Sequence, residues 1–120
     1  MRLGQLDRRI AILKPVVTDD GFTEDATSWG ILCRRWARVI NGKGREAIEQ
    51  QGIEAIIPRV FILRVDSKMR RVTTRDRLVS DGRLFDIQAI AEIGRREAVE
   101  LIVVASDDPA PDLGTLPAIP

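Results

Sequence analysis

The side chains that usually carry catalysis are missing from this sequence or stand alone. There is no histidine, which removes imidazole triads, imidazole metal ligands and proton shuttling near neutral pH. Cys33 is the single cysteine, so neither an internal disulfide nor a cysteine-rich zinc site can form. It sits in an apolar run with Leu32 and Trp36, where a small buried core residue is expected. Its neighbours Arg34 and Arg35 could lower a thiol pKa, yet no histidine base exists to make it a nucleophile. Asp19-Asp20 and Glu24-Asp25 offer carboxylates without calcium-loop spacing, and read as solvated loop residues. Gly42-Lys43-Gly44 resembles a fragment of a phosphate loop, but no Gly-Lys-Ser/Thr follows it. The densest basic stretch is Lys68, Arg70, Arg71, Arg75 and Arg77, interrupted by Asp76. It reads either as a solvated loop between strands or as a contact with acidic protein surface or nucleic-acid backbone. No aromatic residue interleaves with it, which weakens a base-stacking single-strand binder. No catalytic residue, metal ligand set or cofactor is expected, and the chain is not read as an enzyme.

The elements that must position these residues are strands. Arg8 to Val17 places Ile10 and Ile12 on one face and ends at Pro15 and a polar loop. Trp29 to Ile40 is a second apolar-rich run carrying Arg34, Arg35 and Arg38. Val60 to Val65 is apolar on both faces, as a strand covered on both sides would be. Leu78-Val79-Ser80 runs into Asp81-Gly82, a strong hairpin signal because both positions tolerate positive φ. The return strand, Phe85 to Ile93, is read with Phe85, Ile87, Ala89, Ala91 and Ile93 on one face. Gly94-Arg95-Arg96 turns the chain into Ala98 to Ala105. Six strands with short turns predict a mostly β fold, a small six-stranded antiparallel barrel or sandwich. Between the second and third strands, Gly42 to Gly52 is polar with helix formers from Arg45 to Gln51. A long projecting loop, holding at most a short helix, is expected there.

The 120 residues divide into a body, 1–105, and a tail, 106–120, that holds four of the six prolines and three aspartates. Proline at that density blocks helix and central strand. The tail is expected to be frayed or extended, or else to dock Leu113, Leu116 and Ile119 on a neighbouring subunit. Setting its aspartates aside raises the net charge from +1 to +4, so the body is mildly basic. The opening Met1 to Asp7 has no signal-peptide core and no run is long enough for a membrane span. A soluble chain made in a reducing compartment is expected.

The order of short motifs resembles the phage head–tail joining proteins, also called head-completion or stopper proteins, of tailed phages, prophages and gene transfer agents. Gly4-Gln5-Leu6-Asp7-Arg8-Arg9-Ile10 matches that family's opening. Asp20-Gly21, Trp29 and Trp36-Ala37-Arg38-Val39 resemble its middle, with the glycine shifted by one place. Gly44-Arg45-Glu46, Ile62-Leu63-Arg64, Asp76-Arg77, Asp81-Gly82, Phe85-Asp86-Ile87 and Gly94-Arg95-Arg96 follow in the family's order. Phe85 stands where tyrosine is common. The match covers about residues 4–103 and leaves the tail outside it.

What the resemblance implies is a structural protomer that assembles into a homo-oligomeric ring, a hexamer or dodecamer, beneath the portal and its adaptor. Such a ring closes the DNA-filled head and docks the tail terminator and tail tube. The loop from Gly42 to about Pro58 would face the channel with Lys43, Arg45, Glu46, Glu49, Gln50 and Gln51. Alternating charges there imply transient, non-specific contact with packaged double-stranded DNA. Ring closure needs two complementary patches. Charge sign nominates Arg34, Arg35, Arg38 and the Lys68–Arg77 stretch, including Arg70 and Arg71, against Asp19, Asp20, Glu24 and Asp25. The implied location is a virion or phage-like particle, after synthesis in the bacterial cytoplasm and with no membrane partner. The competing reading is a small barrel that binds single-stranded nucleic acid.

Overall fold

A computed structural model describes residues 6–17, 27–41, 58–95 and 97–120. Six strands form: β1 (Arg8–Val17), β2 (Thr27–Asn41), β3 (Arg59–Arg64), β4 (Arg77–Ser80), β5 (Arg83–Ile93) and β6 (Ala98–Ala105). They close into one antiparallel barrel in the order β1-β2-β3-β6-β5-β4, with β4 returning to β1. Closure gives every strand a partner on both sides along part of its length. Between β4 and β5 the chain turns in two residues, with Asp81 at φ 52° and Gly82 at φ 74°. That backbone suits the right-handed twist of a hairpin and explains why Asp-Gly stands there.

The core is built from alternate positions of every strand. Ile10 and Ile12, Phe61 and Leu63, Phe85 and Ile87, and Leu101 and Val103 all point inward and are nearly fully buried. Phe61 and Phe85 meet edge to face with ring centres 6.0 Å apart, a favoured aromatic geometry.

Two bulges redirect the alternation. Ile12 pairs with Cys33 but Leu13 pairs with Ile31, so Leu32 is an extra residue in β2. Ile87 pairs with Val103 but Ala89 pairs with Ile102, so Gln88 is extra in β5. One inserted residue moves everything beyond it to the opposite face. Phe85 and Ile87 therefore face the core, whereas Ala89, Ala91 and Ile93 share the outer face, against the single continuous face read from the sequence. Ile93 joins Ile62, Ala98, Val60 and Leu6 in a small cluster outside the barrel. That outer cover is why β3 is apolar on both faces.

The segment between β3 and β4 closes one end of the barrel. It makes a 3-10 turn at Met69–Arg71 and inserts Met69 and Val72 into the core. Its basic side chains Lys68, Arg70, Arg71 and Arg75 are exposed.

The tail packs on its own barrel, which corrects the frayed reading. A second 3-10 turn, Leu113–Thr115, is capped by Asp112, whose side chain accepts from the Gly114 N–H. Leu113, Leu116 and Ala110 cover an outer cluster of Leu13, Ile31, Val79 and Leu84. The Ile31 N–H donates to the Pro117 carbonyl, and the Ile119 N–H donates to the Ile31 carbonyl, both at 2.8 Å. A Cβ on Gly30 would lie 2.7 Å from Ile119 Cγ1, so a bare backbone there admits the end of the tail. The residues expected to dock on a neighbour thus dock within the same chain.

Candidate functional site

No helix among the described residues is long and apolar enough to cross a membrane. Among the same residues, no group of three or more cysteine, aspartate or glutamate side chains is placed to hold a metal. The arrangement offers surfaces and anchors.

The arginines of β2 divide between its two faces. Arg34, Trp36, Arg38 and Ile40 alternate along the outer face and are exposed, Trp36 at 53 % and Ile40 at 37 %. Arg9, opposite Trp36 in the β1–β2 ladder, lays its guanidinium 5.3 Å from the indole centre. The result is a basic and apolar stripe with a stacked tryptophan at its middle. Arg35 points the other way and donates to Asp66 at 2.7 Å. Asp66 also accepts from the backbone N–H groups of Lys68 and Met69. Partial burial pushes the Asp66 carboxyl up, but Arg35 and these N–H groups outweigh it and hold it below its ordinary value. Hydrogen bonding to Asp66 in turn raises the Arg35 pKa. Arg35 is therefore an anchor for the end-closing segment, separate from the surface formed by Arg34 and Arg38.

The partner patches are also split. Arg70 is exposed, whereas Arg71 donates to the Pro120 carbonyl at 2.7 Å and helps hold the tail. Arg77 bridges Asp86 at 3.0 Å and Asp108 at 3.3 Å and covers the Trp29 ring at 4.9 Å. Asp19, Asp20, Lys43, Arg45, Glu46, Glu49, Gln50 and Gln51 lie outside the described residues. The chain leaves β2 and re-enters β3 at the barrel end opposite the Met69 segment, so the 42–58 connection starts and finishes at that mouth.

Cys33 is buried, with its Sγ 3.7 Å from Met69 Sδ. Burial pushes its thiol pKa up, against the opposing pull of Arg35. Asp76, noted in the sequence as an interruption of the basic stretch and half of an Asp-Arg pair, is almost completely buried. Its carboxylate accepts from Lys14 Nζ at 2.9 and 3.1 Å and from the Thr73 N–H at 2.8 Å. Lys14 Nζ also donates to the Arg71 carbonyl. This pair pins the end-closing segment to β1.

A closed six-stranded antiparallel barrel with anchoring ion pairs and an exposed basic and aromatic stripe defines a small all-β protein. The chain belongs to the phage head completion protein family, whose pattern matches residues 1–106. It is accordingly a structural head-completion protein, a component of the virion. No curated protein matches it. Among solved structures, a chain of the native gene transfer agent virion particle is similar at 23 % identity and a TM-score of 0.62, covering 83 % of this chain and 94 % of that one. A protein of Shigella flexneri 2a known in solution is similar at 23 % identity and a TM-score of 0.69, covering 90 % of this chain and 99 % of that one. These two likenesses concern the fold. The family match ends where the tail begins.

Proposed function

We propose that this chain forms a homo-oligomeric connector ring below the portal and its adaptor, closes the DNA-filled head and docks the tail. The observation that carries the reading is the outer stripe of β2, set beside membership of the head-completion family. An exposed tryptophan flanked by Arg34 and Arg38 and held by Arg9 has the composition of an interface anchor. Such side chains on an outer face can carry an assembly contact without strand pairing. Arg70 on the end-closing segment belongs with Arg34 and Arg38 to the basic side, set against the acidic side of Asp19, Asp20, Glu24 and Asp25. The loop 42–58, bearing Lys43, Arg45, Glu46, Glu49, Gln50 and Gln51, is assigned to the channel. There, repetition around a ring turns a few cations into a collar for passing DNA phosphates.

The single-stranded nucleic-acid reading gains nothing from the fold. Phe61 and Phe85 are core residues, and Trp29 is partly buried under Arg77. Trp36 is thus the one largely exposed aromatic among the described residues, too few for a stacking platform.

Electron microscopy of particles made without this protein tests the reading: filled heads that leak DNA and carry no tails are expected. Normal tailed particles would overturn it. Trp36→Ala removes about 2 kcal/mol per contact if the stripe is an anchor, so tailed particles should fall at least about tenfold while the soluble protomer stays folded. If charge reversal at Arg34, Arg38 and Arg70 together leaves head–tail joining unchanged, the assignment of the patches is wrong.

A further inference from the structure

Three strands start with the same pattern. Arg8-x-Ile10-x-Ile12 opens β1, Arg59-x-Phe61-x-Leu63 opens β3, and Arg83-x-Phe85-x-Ile87 opens β5. The second and third residues of each set are core residues. With a period of two, each arginine shares their inward face. In the antiparallel order of the barrel β1, β3 and β5 run the same way, so all three arginines arrive at one mouth. They line a cavity of about 320 Å³ together with Val39, Phe61, Ser80 and Asp81.

Among the described residues, charge at this mouth is unbalanced. Arg8 bonds Asp81 at 3.1 Å. Arg59 rests its guanidinium 5.3 Å over the Phe85 ring, a contact that leaves its edge donors available. Arg83 makes no ion pair among the described residues. Among the described residues, three cations therefore meet one carboxylate around a recess floored by Phe61 and Val39. Like charges held around a partly enclosed space repel more strongly than they would in open water, and an incoming anion relieves that repulsion.

We propose that this mouth is a receptor for a carboxylate-bearing peptide segment, an acidic side chain beside an apolar one, presented by a protein that abuts this end of the barrel. Arginine forks bind carboxylates with paired, directional bonds. The apolar floor takes the neighbouring side chain. Duplex DNA fits less well, because a recess of about 320 Å³ admits single side chains rather than a duplex, and Phe61 and Val39 within it offer nothing to a sugar–phosphate backbone. Naming the owner of the segment as an adjoining connector protein rests on the proposed function; the site itself does not.

The test is an amide NMR titration of the full chain with an acetylated, amidated Leu-Asp-Leu-Glu peptide, its Leu-Asn-Leu-Gln analogue, inorganic phosphate, and a short DNA duplex. Saturable shifts at Ser80, Asp81, Gly82 and Arg83 are expected with the acidic peptide, with binding about tenfold weaker for the amide analogue. Arg83→Gln should weaken the acidic peptide about tenfold, and Lys68→Gln at the opposite barrel end should leave it unchanged. Arg83 is exposed, so its variant keeps the test valid even where Arg59→Gln disturbs folding. Equal binding of the two peptides, shifts confined to other residues, a response to phosphate or duplex alone, or no saturation would each overturn the proposal. The measurement uses the isolated protein, so its failure leaves the head–tail connector reading to be decided by the particles.

Discussion

Replacing Asp76 with alanine should be among the most damaging single changes outside the apolar core. The carboxylate side chain is 1 % exposed and its Lys14 partner 20 % exposed, so little solvent is present to screen the pair. Asp76→Ala removes the acceptor for Lys14 Nζ and for the Thr73 N–H together. Breaking one side of a buried pair costs about 3–5 kcal/mol, because the remaining charge is stranded. Against a typical total of about 5–15 kcal/mol, that is a large share. For a domain of this length it corresponds to a fall of roughly 10–20 °C in Tm, at about 4 °C per kcal/mol. Asp76→Asn keeps an acceptor for the Thr73 N–H and should lose distinctly less. Thermal unfolding followed by circular dichroism, with urea titration as a second measure, gives both values. A loss below about 1 kcal/mol for alanine, or equal losses for alanine and asparagine, would refute the argument that this pair pins the end of the barrel.

Three further outcomes follow from the same contacts. Gly30→Val places a side chain against Ile119 and the Pro117 carbonyl, so the Ile31 and Ile119 amides should exchange with solvent at least about tenfold faster; unchanged protection would mean the tail does not depend on that bare backbone. The Cys33 thiol, pushed up in pKa by burial, should react with a disulfide reagent at pH 8 at least about a hundredfold more slowly than a free thiol, and at full rate once urea unfolds the chain. The Asp66 carboxyl is held below its ordinary value of about 3.9, so its contribution is complete above that value and is lost as pH falls through the lower folded value. Because Asp66 is 44 % exposed, Asp66→Asn should cost under about 1 kcal/mol at pH 6, with the gap to wild type closing below about pH 4; a gap that widened in acid would reverse the sign argued here.

Strand positions were legible because alternation and turn chemistry are local. Each observed strand matches a run read from the sequence to within two residues at either end, as with β2 beginning at Thr27 where Trp29 was expected. Facing was less legible. Leu32 and Gln88 look like ordinary strand residues, and only the pairing with Leu13 and Ala89 shows each to be the extra residue that turns the strand over. The tail, expected frayed or extended, makes a 3-10 turn and docks on its own barrel, a partner its composition does not show. Its signal was present in Gly30, a glycine inside a strand, which often marks the close approach of another backbone. The arginine pattern of β1, β3 and β5 is local as well, yet its meaning depends on three strands ending at the same mouth. That is a property of barrel order, which alternation within one strand does not encode.

The bulges also decide which outer apolar side chains are covered by the same chain. Beyond Leu32, β2 turns Ile31 outward to the tail, and beyond Gln88, β5 turns Ile93 outward to the cluster with Leu6. Both outer apolar patches are thereby covered by segments of the same chain. Before its bulge is reached from the other direction, β2 keeps Trp36 and Ile40 outward with no cover. They are two of the three large apolar side chains that remain exposed among the described residues, the third being Ile90. A barrel that spends its own termini covering two outer patches and leaves a tryptophan stacked under Arg9 on a third has unequal outer faces. Self-coverage accounts for the first two. The third is stabilised in place by the arginine yet left in water, the arrangement expected of a side chain whose apolar partner belongs to another molecule.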